Sequence, residues 1–170
     1  MKVTPCAIPL QSRLQTRLAG ADFCDAYCAD NPHPEQPALA LWMRTMGSTP
    51  RWVDTAMCAR NAVVKRLGLK DLGGLAQIDQ SRPLQDWRVG ERAGIFTVLH
   101  LSEDEVVMGD DDKHLDVQVS LLKTADSKVV VSTVVHIHNA LGRVYMFFVK
   151  PAHRVIAPAV LARIGKPSSS

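Results

Sequence analysis

The sequence predicts an α+β domain: an antiparallel β-sheet wrapped on a long C-terminal helix, with two to three helices before it. Three observations carry this. From Arg92 to His138 apolar residues recur with a period of two, in runs separated by short polar turns. From Ala140 to about Ile164 the period becomes helical, and Leu141, Val144, Tyr145, Phe148, Ala152, Val155, Ile156 and Val160 form a broad apolar face. Upstream, Trp52, Val53, Ala56, Met57, Ala59, Ala62, Val63 and Leu67 also recur at helical spacing. Thr49 and Pro50 before them form a start signal, and Gly68 is a stop.

In chain order, Cys6 to Leu10 is a weak strand. Ala21 to Cys28 reads as a short amphipathic helical turn with Asp22 as its cap, broken by Asn31-Pro32-His33-Pro34. A helix from Pro37 to Met46 places Leu39, Trp42, Met43 and Met46 on one stripe. The helix opened by Thr49-Pro50 follows, and Asp71 to Gly90 is a long connector. Strands then cover Gly94–Leu101, Glu105–Gly109, His114–Lys123 and Lys128–His138. Asn139 caps the final helix, which Pro151 and Pro158 should kink or divide.

A chain of 170 residues, 46% hydrophobic and 22% charged, has ordinary globular composition and is long enough to bury a core without disulfides. We read residues 1–167 as one domain and 168–170 as a disordered tail. A formal charge of +3 gives no basis for nucleic-acid binding. The N-terminal ten residues, interrupted by Pro5 and Pro9, do not resemble a signal peptide, and no uninterrupted apolar run reaches membrane-span length. A cytoplasmic protein without an integral membrane segment is expected. Cys6, Cys24, Cys28 and Cys58 are then packing thiols. Charge is unevenly spread: Ser127 to Ser170 contains no Asp or Glu, whereas carboxylates gather at Glu103-Asp104-Glu105 and Asp110-Asp111-Asp112.

Several segments together carry a family resemblance. They are Pro50-Arg51-Trp52-Val53, Arg60-Asn61, Gly68-Leu69-Lys70, Val89-Gly90, Gly94-Ile95-Phe96, Ser102 through Val107, Gly109 through Asp116, Asn139 through Arg143 and Pro151 through Arg154. In this order and spacing the chain, from about residue five to 165, is similar to an uncharacterised family of bacterial domains of unknown function. Members of that family resemble START-like (polyketide cyclase, helix-grip) proteins, in which an antiparallel sheet wraps a C-terminal helix and often encloses an apolar cavity. Some relatives are fused to short-chain-dehydrogenase-like domains, which points to small-molecule metabolism. The chain departs from the pattern in having fewer readable strands, which leaves a sheet edge that a second subunit could cover.

A three-residue loop at Ala125-Asp126-Ser127 sets the register of one hairpin: His114 faces His138 and Asp116 faces His136. These four share a face. Leu115, Val117, Val119, Leu121, Val129, Val131, Val135 and Ile137 occupy the other, which should meet the final helix. The His/Asp cluster then lies on an outer face, where it is either an ion-pair ladder, a dimer contact, or an acid–base or metal site. The adjacent acidic triplet is no calcium loop, because Leu115 and Leu121 stand where Gly and Glu are required. There is no GxGxxG, P-loop, GxSxG or HExxH motif, and no metal or cofactor is expected.

The resemblance implies a domain that binds a small apolar, lipid- or polyketide-like molecule between sheet and helix. The residues proposed to line it are Trp52, Arg60, Thr97, Thr133 and Tyr145. Arg60 or Thr133 would orient a polar group. Two alternatives stand beside this: an enzyme using His114, Asp116, His136 and His138, and a non-catalytic homodimerising module. The acid-free final helix also resembles an interfacial membrane helix, but the Val-rich sheet offers its apolar face a home, and core docking is expected.

Overall fold

The computed structural model describes residues 1–50, 52, 53, 55 and 82–165. Strands are β1 (Val3–Pro5), β2 (Phe23–Asp30), β3 (Arg92–Ala93), β4 (Phe96–Leu101), β5 (Glu105–Asp111), β6 (Leu115–Lys123) and β7 (Lys128–Ile137). Among the described residues the helices given whole are α1 (Ala38–Gly47) and α2 (Ala140–Leu161), with 3-10 turns at Arg13–Arg17 and Leu84–Asp86. The seven strands form one antiparallel sheet in the order β1-β2-β7-β6-β5-β4-β3. β3 to β7 are a meander. The N-terminal strands join the far side of β7, so the chain crosses from one end of the sheet to the other between β2 and β3.

Phe23–Asp30 is a strand, where the sequence pattern suggested a helical turn. Over eight residues Phe23 and Tyr27 fall on one side in either period, and the interruption at Pro32 ends either element. Pairing decides it. β7 has an open edge on its side away from β6, and β2 fills that edge along its whole length, from Phe23 opposite Val135 to Asp30 opposite Lys128. Among the described residues the N-terminal part therefore holds two strands, the helix α1 and helical residues at Trp52, Val53 and Thr55, which does not match the expected two to three helices. β1 also falls a few residues earlier than the strand expected at Cys6–Leu10. Residues 56–68 of the expected long helix, Arg60 and Cys58 among them, most of the connector and the serine tail lie outside the described residues. At that helix's expected start, Val53 N–H donates to the Pro50 carbonyl, while the Thr49 hydroxyl donates backward to Met46 O at 2.6 Å.

The hairpin register is as the alternation required. Asp116 pairs with His136 and Leu115 with Ile137, and His138 N–H donates to His114 O. Its turn closes through Thr124 N–H to Lys128 O at 2.9 Å, with Ser127 at φ +57°. A left-handed serine is strained relative to glycine. Ser127→Gly should therefore raise stability by about 0.5 kcal/mol. Urea denaturation checks this, and a loss would mean that the Ser127 side chain compensates for its backbone.

One sheet face carries the main core. Val106, Met108, Leu121, Val129 and Val131 pack with Leu41, Trp42 and Met46 of α1 and with Val160, Leu161 and Ile164 near the end of α2. Trp42 meets Phe96 edge-on, with ring centroids 6.0 Å apart. Nearer the start of α2, Phe23, Val135 and Met146 form a second cluster with Tyr145, Val149 and Ile137 around it. The opposite face was expected to be outer and solvated. Its centre is instead buried by the N-terminal segment: Leu14, with Ile8, Leu18 and Ala21 around it, covers Val107 and Val134. α2 runs through Pro151 and Pro158 without division, and the Asn139 side chain accepts from Gly142 N–H as its cap.

Candidate functional site

Register and helix docking bring three polar side chains together on the otherwise apolar core face. Asp25 of β2 stands directly opposite Thr133 of β7. α2 lies across them and lowers His153 between the two: His153 Nε2 is 3.2 Å from Asp25 Oδ1 and 3.3 Å from Thr133 Oγ1. Thr133 is buried, and Asp25 and His153 are largely so. Phe23, two residues along the same strand face, meets the imidazole edge-on at 5.6 Å. Lys150, one turn earlier on α2, reaches over the Phe23 ring and donates to Asp22 O at 3.2 Å. The helical period places Lys150 and His153 with Arg143 and Arg154 opposite the apolar face expected to meet the sheet. In the structure Lys150 reaches over β2 and His153 faces the sheet.

The electrostatics of this seam are specific. Burial, followed by the charge of the nearby Asp25 carboxylate and a hydrogen bond from the hydroxyl to it, pushes the Tyr27 hydroxyl pKa up, against a smaller opposing effect of Arg154. The Asp25 carboxylate faces the Tyr27 hydroxyl as well as His153, and its Oδ2 is buried. Nε2 is the His153 ring nitrogen that meets the carboxylate and the Thr133 hydroxyl, and Nδ1 is the one turned from them. The arrangement can thus hold a donor group at Asp25 and an acceptor or acid–base contact at His153.

Thr133 lies in this seam, and Tyr145 packs two turns before His153 in the Phe23 and Met146 cluster. Thr97 does not join them. It pairs with Gly109, while its neighbour Val98 pairs with core residue Met108, so Thr97 lies on the opposite sheet face. Trp52 is exposed.

The polar residues of the β6–β7 hairpin each find a different partner. Asp116 is ion-paired with Arg17 of the N-terminal segment. His114 Nδ1 contacts the Asn139 side chain, His136 lies 3.4 Å from Ala19 O, and His138 contacts Asp112 O at 2.9 Å. Asp112 itself accepts from His114 and Leu115 N–H groups, a local turn device. Among the described residues no three His, Cys, Asp or Glu side chains gather as a metal-binding group. Cys24 is exposed and unlike a packing thiol, whereas Cys6 is half-buried and its pKa is pushed up to about 11, by burial first and then by Cys28.

A further polar centre escaped the sequence reading. Glu105, from the acidic knot Glu103-Asp104-Glu105, is buried. Its Oε1 accepts from Ser12 Oγ at 2.7 Å and Ser120 Oγ at 2.6 Å, and both carboxylate oxygens accept from Arg13 N–H. His100 lies nearby with its pKa lowered, by burial first and then by Arg13. This centre clamps the N-terminal segment onto the sheet. The one available signal was the start of a β-run at Glu105 itself.

Comparison with known families adds one finding. The sequence profile of the family described as Protein of unknown function (DUF2867) matches residues 17–160. The chain belongs to that family. The matched DUF2867 region contains all three elements of the seam, from β2 through β7 to nearly the end of α2. No curated protein and no solved structure matches the chain.

Proposed function

We propose that this DUF2867 protein binds a small, largely apolar molecule along the seam between β2, β7 and α2. Asp25, His153 and Thr133 would read a single polar group of that molecule. The observation that carries the reading is a carboxylate, an imidazole and a hydroxyl gathered on an otherwise apolar face, the imidazole within 3.3 Å of both others. A ligand hydroxyl or amine donating to the Asp25 carboxylate would gain about 1.5–3 kcal/mol, the worth of a hydrogen bond to a charged group. Phe23, Tyr145 and Met146 supply the apolar wall, where burial contributes about 25 cal/mol per Å² before ordering costs. A seven-stranded antiparallel sheet with a long C-terminal helix across it suits a START-like reading of the fold.

Native mass spectrometry of the freshly purified protein tests this, with 2-naphthol as a fluorescent hydroxylated probe. A bound mass lost on denaturation, or saturable naphthol binding, is expected. Asp25→Asn should weaken naphthol binding about tenfold, the equivalent of one charge-assisted hydrogen bond. A clean chain mass together with no saturable naphthol signal would refute the seam as a binding site.

One observation favours a second reading. A carboxylate 3.2 Å from an imidazole is the pairing that orients a general base, so acid–base catalysis would be placed at Asp25 and His153.

A further inference from the structure

α2 is apolar on two opposite sides. The side turned to the sheet buries Gly142, Met146, Val160 and Leu161. The side turned away exposes Val144 (50%), Phe147 (74%), Phe148 (67%) and Val155 (60%). The two Phe rings touch each other edge-on at 5.2 Å, and exposed Pro151 and Ala152 continue the ridge. Exposed Arg143 and Arg154 flank it on one side. A ridge of this kind spans about 16 Å at 1.5 Å per residue and offers on the order of 400 Å² of apolar area.

We propose that this ridge docks the protein on an anionic lipid surface, with Phe147 and Phe148 inserted among the acyl chains. Charge decides the occupant. The sequence from Ser127 to Ser170 contains no carboxylate side chain, so nothing on this helix repels acidic headgroups. An antiparallel two-fold pairing of two such helices would set like flank against like flank, arginines facing arginines, with no acid on either helix to answer them. The ridge also supplies only about half of the roughly 800 Å² per partner that a stable protein interface needs. A bilayer has neither requirement: aromatic residues insert singly, and the flanking cations meet phosphates. α2 has 22 residues and a mean hydropathy of 1.2 in its most apolar window, which is span-like by length and composition. Because its other side is committed to the sheet, the helix would lie in the interface and not cross it.

Co-sedimentation of the full chain with vesicles tests the proposal. Binding is expected to phosphatidylcholine vesicles containing phosphatidylglycerol, to be at least tenfold weaker to phosphatidylcholine alone, and to fall with added salt. The Phe147→Ser, Phe148→Ser double variant should lose binding at least tenfold while melting no lower than wild type, since both rings are exposed. Arg143→Gln and Arg154→Gln should each weaken binding about fivefold. The proposal is overturned if wild type ignores both vesicle types, or if the double variant binds as well as wild type. It is equally overturned if sedimentation shows a dimer that the double variant converts to monomer, which would make a second copy the occupant.

Discussion

Glu105→Ala should destabilise the protein by about 3–4 kcal/mol, roughly 6–16 °C in melting temperature for a chain of this size. The carboxylate stands at the junction of three segments. Ser12 and Arg13 come from the N-terminal segment, Ser120 from β6, and Glu105 from the first position of β5. Removing it leaves two buried hydroxyls and a backbone N–H without their acceptor, in a place where Ser12 and Ser120 are almost fully enclosed. Each such group costs more unpaired than its hydrogen bond contributes when made. The Ser12 hydroxyl also accepts from Leu14 N–H, and Leu14 is the buried apolar plug of the covered sheet face. The loss should therefore spread: residues 6–22 should become susceptible to proteolysis and exchange their amide protons before the remainder. Glu105→Gln keeps one acceptor oxygen and should lose only about half as much. Chemical denaturation with native-state hydrogen exchange checks both variants. A loss under 1 kcal/mol in Glu105→Ala, with residues 6–22 still protected, would show that apolar contacts alone hold the segment.

The same clamp shows what the sequence discloses and what it hides. The β6–β7 hairpin is legible because its alternation is long. A one-residue slip would turn Val119, Leu121, Val129 and Val131 out of the core, so one register survives, and Asp116 does face His136. Which faces are covered is not legible, because that depends on partners far away in sequence. Ser12 reaches Glu105 across 93 positions, and only its place at the start of a β-run distinguishes Glu105 from its exposed neighbours Glu103 and Asp104. β2 is hidden for a local reason, since eight residues are too few to separate periods of two and 3.6 when Phe23 and Tyr27 satisfy both. His153 is hidden because α2 is apolar on opposite sides. A helical wheel cannot tell which of the two stripes meets the sheet, and the choice of stripe decides whether His153 faces solvent or Asp25. The candidate seam thus depends on the two elements whose placement needed the tertiary structure, although Thr133 and Tyr145 could be named without it.

Gly142→Ala offers a test in which the sign of the effect decides. The residue lies in the first turn of α2, three positions after the Asn139 cap, and its N–H is the donor that the cap accepts. On helix propensity alone, alanine there should stabilise by up to about 1 kcal/mol. The packing argues the opposite. A Cβ at Gly142 would press on the His114 carbonyl oxygen far inside van der Waals contact and meet Ile137 Cγ2 at 2.9 Å. The Ile137 methyl can shift, but the carbonyl cannot retreat: it accepts from His138 N–H at 2.8 Å, just beyond the last paired residues of β6 and β7. The helix start must therefore lift from the sheet, at a cost of about 2–3 kcal/mol net. Lifting it also disturbs Met146 and Tyr145, one turn on, in the cluster that walls the seam. Binding of 2-naphthol should then weaken in Gly142→Ala even though the residue itself lies away from Asp25 and His153. Arg143→Ala, one position on and exposed, is the matched control and should change stability by under 0.5 kcal/mol. A stabilised Gly142→Ala would mean that α2 starts farther from the β6–β7 hairpin than the structure places it, and would remove the rigid docking on which the Asp25, Thr133 and His153 geometry depends.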